Sequence, residues 1–217
     1  MRKLVVNAFL TLDGVMQSPG GPQEDPSGDF HQGGWIVNLF DDAVGETMGE
    51  IMGQPFDLLL GRRTYEIFAS HWPNVRDDPG ADALNAAHKY VASTTLRNPA
   101  WGPATVFGGD APARIAELKR GDGPEIQVHG SSNLIQTLLR HDLVDEFRLM
   151  VFPVVVGAGK RLFGDGTLPR RFEVASTRIS PSGTFIVTYQ PTGEIEIGSF
   201  ALAEPSEEEQ QRRLATA

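Results

Sequence analysis

With 217 residues, 40% of them hydrophobic, the chain is long enough for one domain with a substantial core and short of two comfortable ones. The lack of cysteine excludes disulfides, thiolate nucleophiles and zinc–thiolate sites, and it suits a reducing cytoplasm, the expected compartment. A net charge of -9 argues against the basic stripe of a nucleic-acid surface, and no apolar run reaches the roughly 18 residues of a membrane span, so neither nucleic acid nor membrane is an expected partner.

Residues 1–6 are basic and then apolar, but Asn7 and Asp13 interrupt them, and no signal peptide fits. Residues 3–12 are apolar almost throughout, as in a strand buried on both faces, and Asp13-Gly14 ends them as a turn. Residues 15–34 have no periodicity and read as one long loop, a length usually reserved for function or disorder. Residues 41–52 predict a helix with Asp41 or Asp42 as N-cap, Val44, Met48 and Ile51 on one face, and Gly53 as its stop.

Residues 56–60 predict a short strand. Gly61 with Arg62, Arg63 and Thr64 forms the turn into a helix that Trp72-Pro73 ends. Such a turn attracts anions, because the first N–H groups of a helix lack backbone partners and glycine admits close approach. Two arginines add fork-shaped donors suited to phosphate. Further on, residues 81–87 read as a short helix and residues 88–94 as a strand ending in Ser93 and Thr94. Residues 103–107 read as a strand, residues 110–120 as a helix, and residues 125–129 as a strand followed at once by Gly130-Ser131-Ser132 and a helix over 133–140. Residues 144–156 predict a long strand with Pro153 at a bulge or edge. Residues 172–190 predict a hairpin about Ser180-Pro181-Ser182-Gly183. Residues 194–200 are a candidate short strand. The expected division is one domain over 1–200 and a charged flexible tail, frayed helix or disorder, over 201–217. Strands alternating with helices and then a β-only end predict an α/β fold with a mainly parallel sheet.

In open α/β sheets ligands bind beyond the carboxyl ends of the strands. Asp13-Gly14, the Gly61 turn, Ser93-Thr94 and the Gly130 turn all fall there. Two glycine-preceded helix N-termini suit the halves of a pyrophosphate, and Ser93, Thr94 and an arginine suit a 2′-phosphate, which points to NADPH. The Gly-x-Gly-x-x-Gly fingerprint of common Rossmann domains is absent.

Leu60-Gly61-Arg62-Arg63-Thr64-Tyr65-Glu66, Val91-Ala92-Ser93-Thr94 and Val128-His129-Gly130-Ser131-Ser132 resemble the cofactor-binding segments of dihydrofolate reductases. With Thr11-Leu12-Asp13-Gly14, the segment Leu143 to Leu149 and the run from Pro153 to Phe163, the chain is more similar to the stand-alone relatives of the reductase domain of the riboflavin-pathway deaminase–reductase. The resemblance spans about residues 2–190. It implies a dihydrofolate-reductase-like three-layer αβα fold, a central mixed sheet with an antiparallel C-terminal hairpin, and an NADPH-dependent reductase acting on a small heterocycle of the pterin or riboflavin-precursor kind. Dihydrofolate reduction and a non-catalytic NADPH-binding or regulatory role are the alternatives. The cofactor contacts implied are Ala8, Gly61, Arg62, Arg63, Thr64, Ser93, Thr94, Gly130, Ser131 and Ser132. The catalytic residues implied are Asp13 and Glu46: Asp13 is either a contact to the substrate or cofactor ribose or a turn residue bonding its own backbone, Glu46 or a bound water supplies the proton, and Asp41, Asp42 and Glu46 are the candidate stand-ins for the helix carboxylate of dihydrofolate reductases. A cis Gly130–Ser131 bond, as in the Gly-Gly turn of those enzymes, is an open alternative to a different turn. His129 is weighed as structural against catalytic, His31 as a mobile loop residue against a cover over the substrate, Trp35 and Phe40 as core or as walls for a ring, and Lys160-Arg161 as a phosphate or dimer contact. A homodimer through the C-terminal β region is expected, and no metal.

Overall fold

The long apolar segment near the N-terminus, β1 (Leu4–Thr11), lies inside an eight-stranded sheet and pairs in parallel on both edges. A computed structural model describes residues 1–165, 167–200 and 204–215 of the chain. The elements after β1 are α1 (Asp42–Met52), β2 (Phe56–Gly61), α2 (Arg62–His71), α3 (Pro79–Ala86), β3 (Lys89–Ala92), β4 (Ala104–Phe107) and α4 (Ala111–Arg120). They continue with β5 (Glu125–His129), α5 (Ser132–Arg140), β6 (Glu146–Phe152), β7 (Arg171–Ile179), β8 (Phe185–Gly193) and α6 (Glu207–Ala215).

The strand order is β4-β3-β2-β5-β1-β6-β8-β7. The first six are parallel, β8 runs against β6, and β7 runs against β8. This is the expected mixed sheet with an antiparallel hairpin. Alternation along β1 sends Leu4, Val6, Ala8 and Leu10 to one face, where Ile115 of α4 and Leu134, Ile135 and Leu138 of α5 cover them. The opposite face is closed by Val44 and Ile51 of α1, by Tyr65 of α2 and by Leu84 of α3. Three layers result. Full burial of each leucine-sized side chain is worth about 1.5–3 kcal/mol, which is why a strand with no polar face can exist only in the middle of such a stack.

Several expectations are corrected. The strand placed over residues 144–156 is only Glu146–Phe152, because Pro153 has no N–H and Val154 turns its carbonyl to the N–H of Leu12. Residues 194–200 form no strand; β8, which lies between β6 and the edge strand β7, ends at Gly193. In the tail, where a frayed helix is one of the two expectations, α6 is helical and Glu209 pairs with Arg212 and Arg213; residues 201–203, 216 and 217 lie outside the described residues. The 15–34 segment is irregular but packed, with Val15, Met16, Gln17, Ser18 and Phe30 buried. Among the described residues no helix is long and apolar enough to cross a membrane.

Candidate functional site

The carboxyl ends of β2, β3, β4 and β5 open onto one cavity of about 1550 Å³, whose floor is the middle of β1 and β6. Ala8, the Gly61–Thr64 turn, Ser93, Thr94 and the Gly130–Ser132 turn all line it, so the structure brings together every residue proposed for the cofactor.

Two of the turns are laced to each other. The N–H of Gly61 donates to Ser131 Oγ at 3.0 Å, and the N–H of Ser131 donates to Thr64 Oγ1 at 2.9 Å. Gly130 and Ser131 both have left-handed backbone, φ 60° and 58°, and the peptide between them is trans; Gly102–Pro103 is the cis bond of the described chain. The turn therefore differs from the Gly-Gly cis arrangement. The turn is tight at residue 130, where a Cβ would stand 3.1 Å from Thr64 Cγ2 in a left-handed backbone that strains an L side chain.

The helix N-termini differ in a way that bears on ligand binding. Asp41, Asp78 and Asp110 cap α1, α3 and α4 through their side chains, at the N–H of Val44, Ala81 and Ala113. No side chain caps α2 or α5, the two helices that start at the glycine turns. Their first N–H groups remain for an anion, and the helix dipole favours one there. Arg62 lies beside α2, its Nε 2.6 Å from Glu66 Oε1 and an Nη donating to Thr95 Oγ1 at 2.7 Å, so its guanidinium stands over the Ser93–Thr95 turn. Arg63 reaches the other way and pairs with Asp25 of the 15–34 segment at 3.3 Å. Asp25 is also bound by Lys160 and Ser27. Burial alone would raise its carboxyl, but these hydrogen bonds and the charges of Lys160 and Arg63 hold it below the usual range.

The other end of the cavity lies between α1 and the sheet and is largely apolar. Helix α1 presents Gly45, Met48, Gly49 and Met52 to it, and β1 and β6 add Phe9 and Met150. With Met16, four of the chain's five methionines line the cavity. Arg148 is the cation of this floor, but its guanidinium is spent on Glu125 at 2.8 and 2.9 Å and on Glu146 at 2.8 Å. His129 is buried, with Nε2 2.9 Å from Gln127 Oε1; burial, and then the Arg148 charge, push its pKa down to about 4, so it is neutral.

The two residues proposed as catalytic, Asp13 and Glu46, do not line this cavity. Asp13 turns its carboxylate to the Thr11 hydroxyl and to the N–H groups of Val156 and Gly157, which hold its pKa below the ordinary value against a smaller effect of burial. It staples the end of β1 to the segment after β6. Glu46 lies on the solvent side of α1, 3.5 Å from Arg178, because the helical period that turns Gly45 and Met48 inward turns Glu46 out. Asp41 is the N-cap and Asp42 lies in the first turn; neither lines the cavity. Phe40 does line it, whereas Trp35 donates its N–H to the carbonyl of Gln17 and packs edge-on against Phe152. His31 is exposed outside it, Lys160 lines it, and Arg161 bonds the carbonyls of Asp13 and Gly157.

The sequence reading missed Gly108 and Gly109 at the end of β4, although they repeat the strand–glycine–helix pattern of the other turns. It also missed Asn7, a polar residue inside an otherwise apolar strand. Among the described residues no group of three or more His, Cys, Asp or Glu is placed to hold a metal ion.

Comparison with known proteins agrees with this architecture. The chain is 27% identical over 197 residues to the Bacillus subtilis (strain 168) protein YyaP, covering 88% of this chain and 96% of YyaP. Its fold is similar to that of a Shewanella sp. PV-4 protein described as belonging to riboflavin biosynthesis, with a TM-score of 0.62, 21% identity, and coverage of 88% of this chain and 99% of that one. It is also similar to the Thermotoga maritima diaminohydroxyphosphoribosylaminopyrimidine deaminase/5-amino-6-(5-phosphoribosylamino)uracil reductase, with a TM-score of 0.58 and 15% identity over 88% of this chain and 57% of the larger protein. The family model for the RibD C-terminal domain matches residues 2–186, and the chain belongs to that family.

Proposed function

We propose that the protein is an NADPH-dependent reductase that transfers hydride to a small heterocyclic substrate. The observation that carries this reading is the convergence of two uncapped helix N-termini, each behind a glycine turn, on one cavity large enough for a dinucleotide and a second small molecule. The residues fit such a cofactor: no side chain caps the N-terminus of α2 or of α5, the two helices that begin at the glycine turns. The family and the reductase named among its structural neighbours support the same class. A bound nicotinamide cofactor supplies the hydride.

The chain's own residues bind and orient. Gly61, Thr64, Gly130, Ser131 and Ser132 would hold the pyrophosphate, Arg62 with Ser93 and Thr94 would hold the 2′-phosphate, and Arg63 would add charge at the rim. Ala8, on the cavity floor, would border the nicotinamide. Neither Asp13 nor Glu46 is the proton donor: one is an acceptor of backbone N–H groups and the other faces solvent. The proton comes from water. Dihydrofolate reduction is the weaker reading, because no carboxylate of α1 faces the cavity. The protein assembles as a homodimer through β7 and β8. The reading is tested by following oxidation of NADPH with a panel of aminopyrimidines, lactams and pterins. Turnover with at least one is expected. NADPH bound without turnover of any would leave a binding protein.

A further inference from the structure

The charges along the cavity wall are paired with one exception. Arg62 is paired with Glu66, Arg63 and Lys160 share Asp25, and Arg148 lies between Glu125 and Glu146. Among the described residues three carboxylates line the cavity: Glu24, Asp25 and Asp78. Asp25 is taken by its two cations, and Asp78 caps α3 at the N–H of Ala81. Glu24 pairs with no cation among the described residues. Its place in the 15–34 segment is well defined. Gln17 Nε2 donates to the carbonyls of Asp25 and Ser27, both at 2.8 Å, and the N–H of Asp25 donates to Ser18 Oγ at 2.7 Å. Glu24 Oε2 accepts the N–H of Gly20 at 2.7 Å. The carboxyl is half-buried. Burial raises its pKa, with the charge of Asp25 adding to the rise, against the N–H groups of Gly20 and Gly21 and the charge of His71. A carboxylate drawn out of water is costly until an opposite charge meets it.

We propose that the end of the cavity between the 15–34 segment and the last turn of α2 takes a ligand whose protonated amine pairs with Glu24. This deepens the reductase reading and rests on it for calling that ligand the substrate. Two cations share Asp25, and the positive excess this leaves belongs to the other end of the helix. Arg63 stands in the first turn of α2, about 12 Å along the axis from His71 in the last, and so lies toward the glycine turns proposed for the cofactor. A carboxylate or phosphate in place of the amine would meet Glu24 as a like charge. Ile67, Phe68 and Trp72 line the cavity along the same helix and its end, so a ring carrying the amine finds apolar support, and an aromatic face attracts a cation.

Calorimetric titration of the full chain, with and without NADPH, tests this. Three probes share one fused ring and differ in charge: naphthylmethylamine, a cation; naphthylmethanol, neutral; and naphthoate, an anion. The amine is expected to bind at least about tenfold more tightly than the other two. Glu24→Gln keeps an acceptor for the Gly20 N–H and removes the charge. It should cost the amine about tenfold and leave naphthylmethanol as it was. Glu24→Asp, whose carboxylate stands one methylene short, should lower the amine preference in part, and it serves where the glutamine variant does not fold. Naphthoate binding as tightly as the amine, no binding of the amine, or an unchanged amine-to-alcohol ratio in the variants would overturn the proposal. NADPH binding without amine binding sinks this proposal alone. Amine binding through Glu24 without NADPH binding sinks the reductase reading alone.

Discussion

The two adjacent arginines of the Gly61 turn are unequal. Arg62 reaches the Ser93–Thr95 turn, whereas Arg63 is held by Asp25. Arg62→Ala should therefore abolish a preference for NADPH over NADH, a drop of about tenfold or about 1.4 kcal/mol, while Arg63→Ala should weaken both dinucleotides with little change in their ratio. Competition binding of the two dinucleotides to each variant measures this; an unchanged ratio in the Arg62 variant would count against its role. Lys89 makes a different prediction. It is fully buried, its ammonium donates to the carbonyls of Asn85 and Gly102 and lies 4.2 Å from the Trp101 ring, and burial lowers its pKa from 10.5 to about 8. The folded-state value lies below the unfolded one, so the unfolded chain binds more protons between these pH values and this residue makes stability rise with pH across them. Denaturation midpoints from pH 8 to 10.5 should show that rise in the wild type and a smaller one in Lys89→Met.

Single residues were the least legible feature of the sequence. Arg62, Thr64, Ser93 and Ser131 could be found because each follows a strand and, for three of them, opens a helix, a pattern that spacing reveals. Asp13 and Glu46 do not line the cavity, and spacing does not reveal where a carboxylate points or what it accepts. Asp13 is consumed by two backbone N–H groups that arrive from residues 156 and 157, far along the chain.

At the level of elements, the strand–glycine–helix unit recurs with consistent consequences. The helices capped by aspartate close their own first turn, and the two left uncapped face the cavity. At Gly130 the turn needs both a left-handed φ of 60° and the missing Cβ, because Thr64 is already bonded to the next N–H. An L-residue in that backbone region costs about 1–2 kcal/mol before any clash. Gly130→Ala should lower both the melting temperature and dinucleotide affinity, the latter disproportionately. Equal effects on the two would mean that the turn is only structural. Most elements could be placed from periodicity and glycine alone. The exceptions have local causes: β6 stops at a proline whose effect on strand length spacing does not reveal, and the segment after β8 has strand-like composition but, among the described residues, no partner strand to pair it.

Across the whole molecule, the order β4-β3-β2-β5-β1-β6 brings β5 back between β1 and β2, which sets the Gly130 turn beside the Gly61 turn although 69 positions separate them in sequence. That proximity brings the two motifs to one cavity; spacing puts both turns at the carboxyl ends of strands, and the strand order that makes them neighbours follows only from the fold that the resemblance implies. At the opposite edge, β7 is an edge strand exposed along most of its length, with Val174 54% and Ile179 71% exposed. Long apolar edges invite pairing with another chain. Light scattering should give the mass of a dimer, and Ile179→Lys should shift it toward the monomer; a monomeric wild type would refute this assembly. The central claim is that the laced glycine turns hold a phosphate-rich dinucleotide. Isothermal titration of the wild-type protein with NADPH and NADH tests it most directly. NADPH is expected to bind, about tenfold or more tightly than NADH, and binding of neither would contradict the account.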